Sequence, residues 1–266
     1  MAHGLPVFQV DAFATQPYSG NPAAVCILDA PRPADWCLHV AQEMNLSETA
    51  FLELGPEGSY SLRWFTPAVE VDLCGHATLA SAHVLWEAGY LAPATEARFL
   101  TRSGTLTAQL RGDWIHLDFP ATPCTPVVAP AGLEDALGAQ PVAVGRTQFD
   151  LLVELASEAD VRVLTPDFAA LAHMPVRGVI VTAASPGQDY DFVSRFFVPA
   201  AGINEDPVTG SAHCGLGPYW QARLGKSELL GYQASARGGY VQVGCRGERV
   251  DLAGRAVTIW RGELLH

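Results

Sequence analysis

Side chains that can carry protons recur beside two glycines in this chain. In the first half, Cys74 and His76 flank Gly75, and in the second half, Asp206 stands four residues before Gly210. Each glycine begins an apolar segment typical of a helix. The first N–H groups of a helix have no partners inside it, and the helix dipole is positive at that end. The spacing therefore predicts two helix starts that can hold an anionic substrate beside proton-carrying groups.

The two sets belong to a repeat of about half the chain. Arg-Trp-Phe-Thr-Pro-Ala at 63–68 returns as Arg-Phe-Phe-Val-Pro-Ala at 195–200, an offset of 132 residues. Gly-His-Ala-Thr at 75–78 returns as Gly-Ser-Ala-His at 210–213, an offset of 135 residues. Because these offsets are close to half of 266 residues, the pattern predicts a duplicated unit with a three-residue insertion in its second copy.

The other polar residues near the two glycines have a structural alternative. Asp72 and Asp206 could simply cap the two helices. Thr209 and Ser211 add hydroxyl groups around Gly210. Because the pattern recurs with different side chains in each half, it favours a two-sided site over two unrelated caps.

Glu48 lies in the mostly apolar segment Asn-Leu-Ser-Glu-Thr-Ala-Phe-Leu at 45–52. Leu46, Ala50 and Phe51 would partly desolvate its carboxyl group and raise its pKa, which suits a general acid/base near neutral pH. The alternative is a solvated strand glutamate, which is the more common situation. The residues by themselves leave both interpretations open.

Several other kinds of site are not supported by the spacing. His76 and His83 share a helix face, but no third ligand stands at a suitable spacing, so we predict no metal site. Gly-Ser-Ala-His at 210–213 does not match the Gly-x-Ser-x-Gly pattern of a hydrolase nucleophile elbow, and no dinucleotide or phosphate-loop fingerprint is present. Cys74 has two interpretations, a thiolate at a helix start or a small buried residue.

Composition excludes several classes of partner. The net charge is −12, and only 16 residues are lysine or arginine, so we expect no nucleic-acid partner. The single lysine and the lack of any run of ~18 apolar residues argue against membrane binding. The six cysteines contain no Cys-x-x-Cys pair, and no secretory signal is apparent. We therefore expect reduced thiols and a cytoplasmic protein.

The pattern of predicted elements indicates an α+β fold. Apolar helices are predicted at about 77–88 and 211–222, one in each half, among many short antiparallel strands. This arrangement suggests a barrel or strongly curved sheet around each helix. A proline-rich segment at 120–126 indicates the linker. The predicted domains are 1–119, with about 257–266 returning to it, and 120–256.

These motifs resemble the PhzF-like proteins (phenazine biosynthesis isomerase-like), of the diaminopimelate-epimerase-like fold. The resemblance covers nearly the whole chain in the order of the family. The matching segments are Val-Asp-Ala-Phe at 10–13, Gly-Asn-Pro-Ala-Ala-Val at 20–25, Asn-Leu-Ser-Glu-Thr-Ala-Phe at 45–51, Phe-Thr-Pro at 65–67, Cys-Gly-His-Ala-Thr at 74–78, and Glu-Asp-Pro-Val-Thr-Gly-Ser-Ala-His at 205–213.

The resemblance implies two pseudo-symmetric domains, each a small, mostly antiparallel β-barrel around a central helix, with the site in the cleft between them. It also implies a homodimer without a cofactor. In the characterised isomerase, the residue matching Glu48 moves a proton within trans-2,3-dihydro-3-hydroxyanthranilate. Residues matching His76, Asp206 and Ser211 bind the substrate or assist, while Gly75 and Gly210 match the two helix starts.

The leading hypothesis is therefore a cofactor-independent isomerase that acts on a small carboxylic acid, with Glu48, His76 and Asp206 as catalytic residues. Gly75, Gly210, Ser211 and Thr209 would bind the substrate. One alternative is a racemase or epimerase that uses Cys74. The related epimerases use one cysteine per half, and this chain matches only the first. The other alternative is a ligand-binding protein without turnover.

Overall fold

The computed structural model describes residues 4–265. The chain divides into two compact units. The first contains residues 4–118 and 253–265, and the second contains residues 119–252. Each unit is rich in strands, with one long helix almost fully buried among them. The fold class is α+β, as the sequence pattern predicts.

The first unit contains two helices and nine strands, of which β8 runs on into the second unit. Its elements are β1 (Leu5–Ala12), β2 (Asn21–Leu28), α1 (Ala34–Met44), β3 (Glu48–Leu54), β4 (Tyr60–Phe65), β5 (Glu70–Val71), α2 (Gly75–Glu87), β6 (Ala97–Thr101), β7 (Gly104–Arg111), β8 (Trp114–Pro120) and β18 (Ala256–Leu264). A short 3₁₀ turn at Pro56–Gly58 joins β3 to β4.

The second unit repeats this plan with shorter outer helices. Its elements are β9 (Thr125–Pro126), α3 (Leu133–Leu137), β10 (Ala143–Arg146), β11 (Leu151–Glu154), α4 (Glu158–Val163), α5 (Phe168–Ala172), β12 (Val179–Ala184), β13 (Phe192–Val198), β14 (Ile203–Asp206), α6 (Gly210–Leu224), β15 (Glu228–Gln233), β16 (Gly239–Arg246) and β17 (Arg249–Gly254). A 3₁₀ turn at Pro199–Ala201 follows β13, and the extra residues of the second copy lie between Ala200 and Glu205.

Strand pairing follows the same order in both units. In the first, β2 pairs parallel with β3, β3 antiparallel with β4, and β4 parallel with β6. In the second, β11 pairs parallel with β12, β12 antiparallel with β13, and β13 parallel with β15. The final strand, β18, pairs antiparallel with β1. The shared order is what a duplicated unit requires.

Helix α2 is apolar on nearly every side. Ten of its residues are buried, including Ala77, Leu79, Ala82 and Leu85. Small alanines allow the surrounding strands to approach the helix, and an all-round apolar surface is stable only inside a sheet. The helix begins two residues earlier than the sequence predicts, at Gly75.

Helix α6 is the counterpart of α2 and contains a proline in its interior. Pro218 has no N–H to donate to the carbonyl of Cys214. The backbone N–H of Thr122 donates to that carbonyl instead, at 3.1 Å. Gly217 keeps the helix close to β16, because a Cβ there would lie 2.5 Å from Val243. Burial therefore holds a helix that propensity alone would break.

An arginine–glutamate ion pair joins two neighbouring strands at the corresponding position of each unit. Arg63 on β4 binds Glu70 through two hydrogen bonds, at 2.8 and 2.9 Å. Arg195 on β13 binds Glu205 in the same way, at 2.7 and 2.9 Å. Each guanidinium also lies 4.9 Å from the ring of a nearby phenylalanine. The two copies of the sequence repeat therefore make the same ion-pair and ring contacts.

Most element predictions agree with the structure, with shifted ends. Helix α1 ends before Asn45, which adopts a left-handed conformation and donates its N–H to the carbonyl of Ala41. Strand β15 and helix α4 were not predicted. Among the described residues, no helix is long and apolar enough to cross a membrane.

Candidate active site

Glu48 is the first residue of β3, where it pairs in register with Ala23 of β2. The hydroxyl of the preceding Ser47 donates a hydrogen bond to Asn21, at 3.3 Å. Asn21 is fully buried and begins β2. The Gly-Asn-Pro motif therefore supports the start of β3, and the side chain of Glu48 is left only 19% exposed.

His76 lies in the first turn of α2, beside Glu48. Its Nε2 atom is 3.2 Å from a carboxylate oxygen of Glu48. Its Nδ1 atom is 3.5 Å from the sulfur of Cys74. Burial lowers the pKa of His76 to about 3. The imidazole is therefore neutral at neutral pH, and the contact with Glu48 is a polar contact between a neutral ring and a carboxyl group rather than an ion pair.

These three side chains can also be considered as metal ligands. One ligand atom from each of Glu48, Cys74 and His76 lies within 4.8 Å of the others. However, the nearest ring nitrogen to Cys74 is Nδ1, whereas Glu48 contacts Nε2. One imidazole binds a metal ion through one nitrogen, so an ion here could use only one of these two short contacts. The arrangement suits the movement of a proton along the ring better than chelation.

The start of α2 is not capped by a side chain. Cys74 occupies the N-cap position without a capping hydrogen bond. The side chain of Asp72 is 77% exposed and lies 3.9 Å from Arg102, so it does not act as the cap. The free end of the helix thus keeps the N–H donors and positive dipole that an anion needs.

The start of α6 has the same property within the second unit. Thr209 occupies its N-cap position, again without a side-chain cap. The Thr209 hydroxyl instead donates to the carboxylate of Asp206. The buried Gln233 accepts the Thr209 backbone N–H at 2.9 Å and donates to the carbonyl of Asp206 at 2.8 Å. Three hydrogen bonds therefore hold the loop that precedes Gly210.

Ser211 belongs to a second network at the start of α6. The guanidinium of Arg177 donates to the Ser211 hydroxyl at 3.1 Å. The same guanidinium binds the buried carboxylate of Asp150 at 2.9 and 2.5 Å, and the rings of Phe149 and Phe196 lie 5.2 and 5.5 Å from it. Ser211 is thus held beside a fixed positive charge.

Sequence reasoning did not find Gln233, Asp150 or Arg177. Asp150 and Arg177 are 27 residues apart and form no motif, so only the tertiary structure pairs them. Gln233 ends the unpredicted strand β15. By contrast, Glu48, His76 and Cys74 come together in one unit, and Asp206, Thr209, Gly210 and Ser211 in the other.

Comparison with known proteins gives consistent results. The sequence model of the phenazine biosynthesis-like protein family (PhzC-PhzF) matches residues 10–262. An uncharacterised isomerase of Halalkalibacterium halodurans is 56% identical over 98% of both chains. One of Pseudomonas aeruginosa is 52% identical, again over 98% of both. The crystal structure of a phenazine biosynthesis PhzF-family protein of Enterococcus faecalis superposes with a TM-score of 0.95, at 42% identity, over 99% of this chain and all of the other.

Proposed function

Because this chain belongs to the phenazine biosynthesis-like family (PhzC-PhzF) and is an isomerase, we propose that it moves a proton within a small carboxylic acid, without a cofactor. Glu48 is the acid/base. The observation that carries this proposal is the contact between a partly buried carboxyl group and a neutral, buried imidazole, at 3.2 Å.

The proposed reaction needs one group that works in both directions. The Glu48 carboxylate takes a proton from one carbon of the substrate, and the electron pair of that C–H bond shifts along the substrate. The protonated Glu48 then returns the proton to a second carbon, so that substrate and product have the same composition. Neutral His76 contacts the carboxyl group in both states without adding a competing charge, which keeps Glu48 available as base and as acid.

The substrate must stay in place while the proton is on Glu48. We propose that its carboxylate binds the uncapped helix starts at Gly75 and Gly210, whose N–H groups and dipoles stabilise negative charge. Arg177 orients the hydroxyl of Ser211 as an additional donor. Such fixed donors stabilise charge that develops during proton transfer.

In the second unit, Asp206 and Thr209 are proposed to bind an amine or hydroxyl of the same substrate. The support is their connection to Gln233, which has no exposed surface and fixes both residues. A carboxylate held in this way can orient a polar substituent without taking part in covalent chemistry. The active form is proposed to be a homodimer, as the resemblance implies.

A racemase that uses Cys74 is the second candidate. The observation in its favour is the 3.5 Å contact between the Cys74 sulfur and Nδ1 of His76, through which the ring could accept the thiol proton. Racemisation by two thiols, however, lacks one partner, because Thr209 precedes Gly210 where the repeat places the counterpart of Cys74, so Cys74 would need another base.

Replacement of single residues separates the two candidates. Glu48→Gln keeps the size and polarity of the side chain but cannot carry the proton, so turnover should fall by at least ~100-fold while substrate binding persists. Cys74→Ser should have a much smaller effect. The measurement is conversion of each acid to its isomer, followed by NMR in deuterated water so that any exchange with solvent is also detected, with a panel of small acids that includes trans-2,3-dihydro-3-hydroxyanthranilate.

The control is the parent protein with the same panel. If Glu48→Gln converts the substrate at the parent rate while Cys74→Ser does not, the thiol is the base and the racemase candidate replaces the first. If the parent binds acids of the panel but converts none of them and exchanges no proton with solvent, the non-catalytic alternative gains support.

A further inference from the structure

The first unit contains a cavity of about 460 Å³ at the opposite end of α2 from His76. The helix begins at Gly75, and Glu87, its last residue, lines the cavity. Thirteen residues at 1.5 Å each give a helix roughly 20 Å long. The cavity is therefore separate from the Glu48 contact, and its volume is in the range of small-molecule sites.

Apolar side chains form most of the cavity wall. They are Ala14, Trp86, Pro93, Leu110, Ile115 and Val257. The indole N–H of Trp86 donates to the carbonyl of Thr95 at 2.9 Å, which fixes the ring. A fixed aromatic wall favours a ligand with a flat or apolar middle section.

One end of the cavity is acidic. The Glu87 carboxylate accepts a hydrogen bond from the hydroxyl of Thr258. Nε2 of His83 is 3.1 Å from that hydroxyl and 3.5 Å from Glu87. Burial lowers the pKa of His83 more than the nearby Glu87 raises it, so the ring is neutral and leaves the negative charge unbalanced. Glu87 also ends α2, where the helix dipole is negative, and both effects favour a cationic group.

The other end of the cavity is basic. Arg255 lines it with a guanidinium that lies 5.1 Å from the ring of Trp114. Its nearest carboxylate contact is the exposed Asp113, at 3.7 Å, which is longer than a hydrogen bond. Its Nε atom is buried and has no hydrogen-bond partner among residues 4–265. A buried donor of this kind favours an anionic ligand group.

We propose that this cavity is a second ligand site, which binds an amino carboxylate whose two charged groups are separated by an apolar spacer. The ammonium group lies at Glu87 and the carboxylate at Arg255. Arg255 and Thr258 are three residues apart, so their Cα atoms are separated by roughly 10 Å in extended chain. An α-amino acid, with both charges on one carbon, is too short to reach both ends.

The probe that tests this proposal is 4-(aminomethyl)benzoate, which has a ring between its two charges. Trp86 supplies the signal, because its indole N–H can be followed by NMR and assigned with Trp86→Phe. We expect a saturable shift of the Trp86 signal, while the signal of the buried Trp64 remains in place and reports an intact fold. The binding should be unchanged in Glu48→Gln, so its outcome does not depend on the proposed reaction.

Matched variants and probes assign the two ends. Arg255→Gln and Glu87→Gln should each weaken binding by at least ~10-fold, the usual scale for a charge-assisted hydrogen bond, whereas Arg98→Gln, at an exposed arginine of the same unit, should not. 4-Methylbenzoate and 4-methylbenzylamine should each bind at least ~10-fold more weakly than the probe. The proposal is overturned if the Trp86 signal does not respond to the probe. It is also overturned if the three probes bind equally, or if the charge variants bind the probe as tightly as the parent does.

Discussion

The chemistry proposed for the first unit depends on the protonation state of the His76 ring. A charged His76 would hold Glu48 as a permanent carboxylate and would oppose its protonation during turnover. Burial instead keeps the imidazole neutral, with a pKa of about 3. The ring can then orient the carboxyl group in either state. The cost of burying the imidazole is thus linked to the proposed use of Glu48 as both base and acid.

His213, one helix turn into α6, is a second neutral histidine. It is fully buried against Phe192. Its Nδ1–H donates a hydrogen bond to the carbonyl of Thr209, at 2.8 Å. Burial lowers its pKa to about 4, although the hydrogen bond to Thr209 raises it. The Nε2 atom has no hydrogen-bond partner within residues 4–265. His213 therefore serves the start of α6 through one nitrogen only.

This arrangement predicts acid sensitivity. Below about pH 6.5 the unfolded chain gains a proton at His213 that the folded protein does not accept until about pH 4. The contribution of His213 to the free energy of unfolding is therefore fully present above pH 6.5. It decreases as the pH falls, and roughly 3 kcal/mol of it is lost at pH 4. His213→Asn keeps the donor to Thr209 but cannot titrate, so it should lose less stability than the parent between pH 7 and pH 4.

Urea unfolding at the two pH values measures the difference. His39→Asn is the control, because it makes the same change of side chain at an exposed position on α1. Equal losses of unfolding free energy in the parent and in His213→Asn would show that His213 is protonated in the folded protein.

At the scale of elements, an arginine–glutamate ion pair in each unit joins the strand before the proline turn to the strand after it. Arg195 does more than bind Glu205 on β14, because its Nη1 atom also donates to the carbonyl of Leu164 at 2.8 Å, at the end of α4. The side chains of Arg195 and Glu205 are only 12% and 19% exposed. One side chain therefore joins two strands and a helix in front of the loop that leads to α6.

Removal of one charge from this pair should be costly. We expect Glu205→Gln to lower the free energy of unfolding by about 2 kcal/mol, because it leaves a mostly buried guanidinium without a counter-charge. The control is Asp29→Asn, which breaks an ion pair with Arg32 in which the aspartate is 69% exposed. That change should cost less than about 0.5 kcal/mol. Chemical denaturation of both variants tests the difference, and equal costs would contradict it.

The elements that the sequence predicts well are those whose pattern is local. The starts of α2 and α6 follow from a glycine before an apolar run. Helix α4 could have been found, because Ser157 and Asp160 form a capping pattern that the structure contains.

Strand β15 could not have been found by this means. Gly231 interrupts its pattern, yet a side chain there would lie 2.5 Å from the ring of Phe192, so the glycine is needed for packing. That reason exists only in three dimensions. The same limit applies to the site: Glu48 and Asp206 stand in recognisable motifs, whereas Gln233 gains its role by facing the loop before α6.

At the scale of the whole molecule, duplication gives two copies of one frame with different chemistry. Both units have an uncapped helix start after a strand, a proline turn and an acidic segment. The first places a carboxyl group and an imidazole near its helix start, and the second places a carboxylate and two hydroxyls. In the proposed function, the frame supplies the anion-binding geometry, and divergence of the side chains provides proton transfer in one copy and substrate orientation in the other.

The thiols of the whole chain provide the last prediction. All six cysteines are free, and four of them are buried. Burial raises the pKa of Cys26 and of Cys214 to about 12 and that of Cys37 to about 11. Because only thiolates react readily, these three should resist a thiol reagent at pH 7.5 in the folded protein. Cys124 and Cys245, which are partly exposed, should be labelled first.

Mild reductant should leave the melting temperature unchanged, because no cysteine pair is available for it to reduce. A chelator should have no effect either, since the short contacts of Glu48 and Cys74 are made with different nitrogens of His76 and we expect no metal ion there. Mass spectrometry of labelled peptides and thermal melts with and without each agent measure these outcomes. Rapid labelling of Cys26 or Cys214 would show that the units open easily. A lower melting temperature with chelator would show that the group around His76 binds a metal ion after all, and the proton-transfer proposal would then have to be replaced by metal-assisted chemistry.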